Sequence, residues 1–484
     1  MRLIFHIDVN SAFLSWSAIE KLKASPELDL RTIPAIIGGD ERTRHGVVLA
    51  KSIPAKRYGV QTGEPVANAL RKCPFLVMEP PDHRLYRRRS HELMELLHSY
   101  TPDIEQLSID ECFLDYTPIS HRFPSPESAA RTIADRVRDT LGFTVNIGIA
   151  PNRLLAKMAS DFEKPDKVHT LYPEEIPQKM WPLSVRDLYM VGKRSAARLE
   201  ELGIRTIGEL AHCDPAFLQS HFKSHGRTMW EYANGISSDV LQLEDQDAKC
   251  IGNSTTLGAD ATSAPAAKHV LLELAEEVSG RLRRAHLLAG SVTVELKYNN
   301  FRSCSRQTQL STPLSATDAL YTCACRLFDE LWNGTPIRLL GIRTAKLQSE
   351  DAPVQLSLFD GDYLLQLSSA QDSAHASGPV SHAPGQTSRA AKPASHTSEP
   401  TSRAAEPTSH ASEPTSRAAK PASYASESTS RFPERSFGSS AQQPYYPAAS
   451  LERQRRLDAA MDQIRQRYGD SAIIKGAFLQ KKER

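Results

Sequence analysis

A chain of 484 residues is too long for one hydrophobic core and should divide into two to four domains. Hydrophobic residues make up 40% of it and charged residues 24%, and no apolar run approaches the roughly 20 residues needed to span a bilayer, so no membrane anchor is expected. The formal charge is only +2, which means that any nucleic-acid surface must arise from local segregation of charge. The first residues run straight into a strand pattern without an apolar leader or a small-residue cleavage site, so a cytoplasmic protein is expected. The 7 cysteines are scattered, and Cys323 and Cys325 have a spacing that suits neither a disulfide nor a zinc pair.

Leu3, Ile4, Phe5 and Ile7 predict a strand over residues 3–9 that carries Asp8 near its end. Residues 104–115 and 144–150 read as two more strands, and helices are expected within 128–141 and over 154–161, giving a mixed sheet backed by helices. Short helices follow around Met190-Val191-Gly192-Lys193, with a second turn at Leu202-Gly203-Ile204. Residues 291–298 and 303–310 alternate like a hairpin, and a helix at 316–332 and a strand at 337–347 complete a separate small α+β domain. From about 361 to 445 the chain is Ser, Ala, Pro, Thr and Glu, with a unit recurring at Thr387, Thr401 and Thr415. Alanines alone offer no apolar face to stack, so this stretch is expected to be a disordered linker. Helical spacing returns over 451–468 through Leu457, Met461 and Ile464, and a short helical tail is expected over 446–484.

The chemistry concentrates in Asp8 and in Ser108-Ile109-Asp110-Glu111. Neighbouring residues of a strand point to opposite faces. Asp110 and Glu111 therefore reach one site only if the hairpin bends there, or if an adjacent strand brings Asp8 between them. Carboxylates without His or Cys beside them favour Mg2+ over zinc or copper. A pair of such ions about 3.5–4 Å apart supports nucleotidyl transfer. Exposed charges at a hairpin tip are the competing reading of a lone Asp-Glu pair.

Four segments resemble motifs of the Y-family translesion DNA polymerases, nearest the DinB or polymerase IV-like branch: His6-Ile7-Asp8-Val9-Asn10-Ser11-Ala12-Phe13, Ser52-Ile53-Pro54-Ala55-Lys56-Arg57-Tyr58-Gly59-Val60, Ser108-Ile109-Asp110-Glu111, and Asn152-Arg153-Leu154-Leu155-Ala156-Lys157-Met158-Ala159-Ser160-Asp161. Order and spacing match over about 350 residues. The resemblance implies an α+β multidomain, right-hand polymerase: a palm at 1–11 and 75–170, small fingers at 12–74, a helical thumb at 171–240 and a little finger at 246–348. It makes Asp8, Asp110 and Glu111 the catalytic acids, which with the Val9 carbonyl hold two Mg2+ ions. Phe13 becomes a steric gate against a ribose 2′-hydroxyl, and Lys56 and Lys157 contacts for the triphosphate. The implied activity is low-fidelity, template-directed DNA synthesis without proofreading, on primer-template DNA and dNTP, by a monomer.

This chain departs from the family pattern in places. Ile53 and Lys56 stand where Tyr and Arg are usual, Pro54 replaces an acid, Asn10 stands for Asp and Ala12 for Phe. Isoleucine offers no hydroxyl to a phosphate, and lysine lacks the planar fork of arginine. Val191, Gly192 and Lys193 resemble a helix-hairpin-helix that grips a DNA phosphate through backbone amides, with Met190 where a first glycine is usual. Residues 248–347 hold 12 Lys and Arg against 8 Asp and Glu, and Lys297, Arg302 and Arg306 flank a hairpin similar to the strands that follow the duplex backbone. Gln355-Leu356-Ser357-Leu358-Phe359-Asp360 resembles the sliding-clamp-binding peptide of bacterial replication proteins, in which Gln355, Leu356, Leu358 and Phe359 make the contacts. Two competitors remain: a catalytically weak or inactive polymerase-like scaffold assembled on the clamp, and a nucleotide cyclase, which leaves the DNA-binding features unexplained.

Overall fold

The structure, a computed structural model, describes residues 2–39, 46–244, 247–352, 448–469 and 472–473. Contacts divide the chain into one unit formed by Met1–Glu350 with Tyr445–Arg484 and a second, Asp351–Pro444, of which all but the first two residues lie outside the described residues. The expected clamp peptide at 355–360 and the repeat linker at 361–445 therefore lie outside them too.

The N-terminal strand β1 (Ile4–Val9) runs into helix α1 (Ala12–Ala24) through one left-handed residue, Ser11. Next comes a small three-stranded sheet of β2 (Ala35–Gly38), β3 (Val48–Lys51) and β4 (Val77–Glu79), in the order β3-β2-β4. Helices α2 (Ile53–Arg57) and α3 (Val66–Lys72) close a compact core of Ile36, Val48, Ala55, Val66 and Ala69 over it. Ser52 starts α2 by accepting from the Ala55 N–H. Helix α4 (His83–His98) then leads to β5 (Ile104–Gln106) and β6 (Glu111–Asp115). The stretch 104–115 forms the hairpin whose tip the acids were expected to occupy. Leu107 and Ser108 both donate to the Glu111 carbonyl, at 3.0 and 3.2 Å, which lifts Asp110 out of the ladder.

Helix α5 (Pro126–Leu141), β7 (Val145–Ala150), α6 (Arg153–Ser160) and β8 (Val168–Thr170) complete a five-stranded sheet of order β5-β6-β1-β7-β8, with β1 antiparallel to both neighbours. β1 is buried on both faces. Phe5, Ile7 and Val9 join α1, α4 and α5 in one core, while Ile4 joins α6 in another. Gly148 lets α6 lie against the sheet: a Cβ there would stand 1.9 Å from the Ala156 carbonyl oxygen.

Short helices α7 (Ile176–Lys179), α8 (Lys193–Glu201), α9 (Ile207–Ala211), α10 (Pro215–Phe222) and α11 (Ser224–Ala233) pack around Leu199, Ile207, Leu210, Leu218 and Met229. Met190, where glycine is usual, adopts φ 72°. The turn keeps its left-handed geometry and bears the strain of a side chain there.

β9 (Cys250–Ala261), α12 (Ala264–Arg284), β10 (Leu287–Tyr298), β11 (Ser303–Leu314), α13 (Thr317–Leu331) and β12 (Ile337–Ser349) form an antiparallel sheet of order β11-β10-β12-β9, its core made with the two helices. The C-terminal helix (Ala448–Tyr468) rests on α12 and α13. Of the residues that gave the helical spacing, Leu457 and Ile464 are exposed and Met461 is half-buried. Charge holds the helix instead. α13 starts after Ala316, which has no side chain to cap it, and Asp458, 2% exposed, accepts the Thr317 N–H at 2.9 Å in its place. Arg283 donates to Asp462 at 2.8 Å and reaches Asp458 at 3.4 Å, while also donating to the Ser315 carbonyl. Arg455 pairs with Glu350 at 2.7 Å.

Asp458→Ala leaves Arg283 without its buried partner and α13 uncapped, a loss of roughly 2–3 kcal/mol for the docked helix. Hydrogen exchange across residues 453–468 should then rise to the rate of an undocked segment, and unchanged protection would show that the helix is seated by something else.

Candidate active site

β1 and β6 pair so that Asp8 stands opposite Glu111, and the Val9 N–H donates to the Asp110 carbonyl at 3.0 Å. All three acids therefore meet at one end of the sheet, but their side chains part company. Asp8 and Asp110 line a cavity of about 590 Å3, whereas the Glu111 carboxylate turns toward α6, held by Lys157 and with His6 Nε2 3.2 Å away. Asp8 accepts from Lys164 at 2.6 Å, and Lys164 also reaches Asp161 at 2.9 Å. Ser108 donates to Asp110 at 2.6 Å. Among the described residues no three Asp, Glu, His or Cys side chains converge as a ready-made metal cluster. Two lysines stand among the acids.

The acids differ electrostatically. Burial raises the pKa of Asp8, and the adjacent Lys164 does not fully offset it. Burial also works to raise Glu111, but His6 and Lys157 outweigh it and hold the carboxyl down at about 2. Burial lowers His6 against the pull of Glu111, which favours the neutral imidazole; its Nδ1 lies 2.7 Å from Ser160 Oγ. Lys164 loses by burial but gains more from Asp8 and Asp161, so its pKa is raised.

Phe13 stacks on Tyr86 with centroids 4.3 Å apart and 6° between planes, and it also lines the cavity. It is a ring anchored in the core by Tyr86 that also lines the site. Asn10 is 9% exposed and acts as a bracket. Its amide donates to Asn146 at 3.1 Å, and its oxygen accepts from Thr144 and from the Asp166 N–H, both at 2.9 Å. An aspartate could not donate to Asn146.

The structure redistributes the lysines. Lys157, expected at the triphosphate, is on Glu111 and near the Tyr189 ring and is not among the described residues that line the cavity. Lys56 lines the cavity, as do three cations that the motifs did not mark: Arg31, Lys51 and Lys164. Periodicity could not have found Lys164, which lies in a loop. Its one sequence signal is the Lys164-Pro165 pair shortly after Asp161.

Of the expected DNA contacts, Val191 is buried, leaving only its backbone to face a ligand, while Gly192 caps α8 and Lys193 is exposed. Arg302 is exposed at the β10–β11 turn, Lys297 is half-buried, and Arg306 pairs with Glu330 at 2.6 Å.

Residues 7–161 match the impB/mucB/samB family, residues 248–358 the C-terminal domain of that family, and residues 173–204 the IMS family HHH motif. The chain is 49% identical over 360 residues to the DNA polymerase IV of Clostridium acetobutylicum, a match covering 74% of this chain and 90% of that protein. It is 36% identical over 360 residues to DNA polymerase IV 1 of Bacillus subtilis, covering 74% and 85%. Among solved structures it is similar in fold to a Y-family DNA polymerase chimera, with a TM-score of 0.63 at 22% identity over 72% of this chain and 99% of that one.

Proposed function

The chain belongs to the Y family of DNA polymerases, as a DNA-directed DNA polymerase of the translesion kind, and on that premise we propose that the cavity beside Phe13 is where dNTP is joined to a primer end. One observation carries this reading: Asp8 from β1 and Asp110 from the hairpin turn share the cavity with an aromatic ring and four cationic side chains. The family depends in general on a divalent metal. The donor set fits one, since a carboxylate whose burial raises its pKa gains from an adjacent dication. Asp8, Asp110 and Glu111, with the Val9 carbonyl, would hold two Mg2+ ions, with the Glu111 carboxylate released from Lys157. When bound, such ions lower the pKa of the primer hydroxyl and stabilise charge on the phosphates.

The protein's own groups do the rest. Lys164, on giving up Asp8, faces phosphate oxygens in the same cavity, and Lys56 meets them from the fingers. Lys157, on releasing the Glu111 carboxylate, turns to the triphosphate from α6. Phe13, locked by Tyr86, cannot move aside for a 2′-hydroxyl. The segments assigned above to palm, fingers, thumb and little finger carry these roles. Backbone amides at Val191, Gly192 and Lys193 hold a DNA phosphate, and Lys297, Arg302 and Arg306 follow the duplex. Gln355, Leu356, Leu358 and Phe359 bind the sliding clamp. The protein works as a cytoplasmic monomer; no helix among the described residues is long and apolar enough to cross a membrane. An inactive scaffold is not favoured, because it gives no reason to keep both acids and cations in one cavity.

Asp110→Ala should abolish primer extension in Mg2+ while primer-template binding stays within about threefold of the parent; extension at the parental rate would sink the site. In the same assay Phe13→Ala should raise ribonucleotide incorporation by about 100-fold or more, a discrimination of roughly 3 kcal/mol, and unchanged sugar selectivity would remove the gate. The double variant Leu358→Ala, Phe359→Ala should lose clamp binding in a pull-down and keep basal extension, whereas retained binding would place the contact elsewhere.

A further inference from the structure

Strand β3 ends at the cavity on Lys51, two residues before Ile53 and five before Lys56, and all three line it. Ile53, 47% exposed, gives this wall an apolar branch with no group for a phosphate oxygen. Of the four cations in the cavity, two are already engaged. Arg31 places its guanidinium on Asp29, with two contacts of 2.9 Å, and on the Gly142 carbonyl, and Lys164 spans Asp8 and Asp161. Lys51 and Lys56 have no carboxylate partner among the described residues. Among the described residues Lys51 Nζ donates to Thr62 Oγ1, at 3.3 Å.

Burial and the charge of Lys56 both push the Lys51 pKa down, opposed by Glu64. Glu64 is a poor counter-ion, because its own carboxylate is tied to Lys72 at 2.6 Å and to the Gln61 N–H at 2.7 Å. Two like charges thus repel at one wall of a cavity whose acids, Asp8 and Asp110, come from the palm strands. Such a pair is completed by a polyanion, and a lysine suits it as a flexible point charge where no planar fork is needed.

We propose that Lys51 is a triphosphate-binding residue that acts with Lys56, its ammonium supplying the phosphate contact that Ile53 cannot make. The proposal rests on the reading of the cavity as the dNTP site. It places selection for the triphosphate on a strand residue ahead of the fingers helix, as well as on the helix itself.

The test uses the full chain on primer-template DNA with a dideoxy-terminated primer, so that dNTP binds without reacting, beside steady-state extension on an ordinary primer. For Lys51→Met the dNTP Kd and KM should rise about tenfold together, with kcat within threefold of the parent. Inhibition by inorganic pyrophosphate should weaken by a similar factor, and Lys51→Arg should recover most of the affinity. A merely structural lysine would give neither the charge-specific rescue nor the shared loss for dNTP and pyrophosphate. If Lys51→Met binds dNTP within twofold of the parent while Asp110→Ala has lost extension, the proposal is overturned and the site stands. If Asp110→Ala extends normally, the site reading fails first and takes this proposal with it.

Discussion

Asp8 stands opposite Glu111 because β1 and β6 pair antiparallel in the register that also sets Ile4 against Asp115, and the chemistry of the molecule hangs on that register. A slip of one residue would send Asp8 to the other face of a strand that is buried on both sides. The register is held by more than the ladder. Ile4 and Ile7 sit in different cores on opposite faces, so the apolar residues that secure β1 also fix which way its acid points. The tight turn before Glu111 adds the other half: it takes Asp110 out of the strand, which frees that carboxylate to join Asp8 at the cavity.

Charge at the sheet end is organised in layers. On the cavity side Asp8 is met by Lys164, and on the α6 side Glu111 is met by Lys157. The two pairs are not equivalent. Glu111 is held far below the usual carboxylate range by His6 and Lys157, whereas burial raises the pKa of Asp8 despite its lysine. An acid raised by burial gains most from additional positive charge, so the Asp8 side is the more responsive to a cation or a phosphate-bound metal. The Glu111 side is pinned to the packing of α6, and Gly148 sets how near that helix lies.

Much of this was legible in the residues, for identifiable reasons. Alternating apolar residues around Asp8 marked β1, and the same alternation around Phe113 marked β6 with the acids at a hairpin tip, although the exact turn depends on local backbone hydrogen bonds. Phe13 was legible from its place after β1. Lys157 was legible on the polar side of α6, but helical spacing does not show which neighbour that side meets, here Glu111. Lys164 and Lys51 lie outside any periodic element long enough to signal them. The C-terminal helix was legible from its spacing, but not what seats it: α13 begins without its own cap, and a buried Asp458 meets that need.

Asn10 and Ile53 are the two departures most easily taken for decay, and the structure gives them different meanings. At position 10 a carboxylate would add a second negative charge beside Asp8 and lose the donor to Asn146; the amide instead ties β1 to β7 and to the loop that carries Lys164, through the Asp166 N–H. That substitution serves positioning. At position 53 nothing in the packing requires an apolar side chain, since Ile53 is exposed at the cavity and Ser52, not Ile53, caps the helix. The loss there is one of ligand contact, and a loss of contact is offset only by another group reaching the same ligand. The neighbouring strand end brings a cation, Lys51, to the same wall of the cavity as Ile53 and Lys56, which is why the proposed phosphate contact falls there.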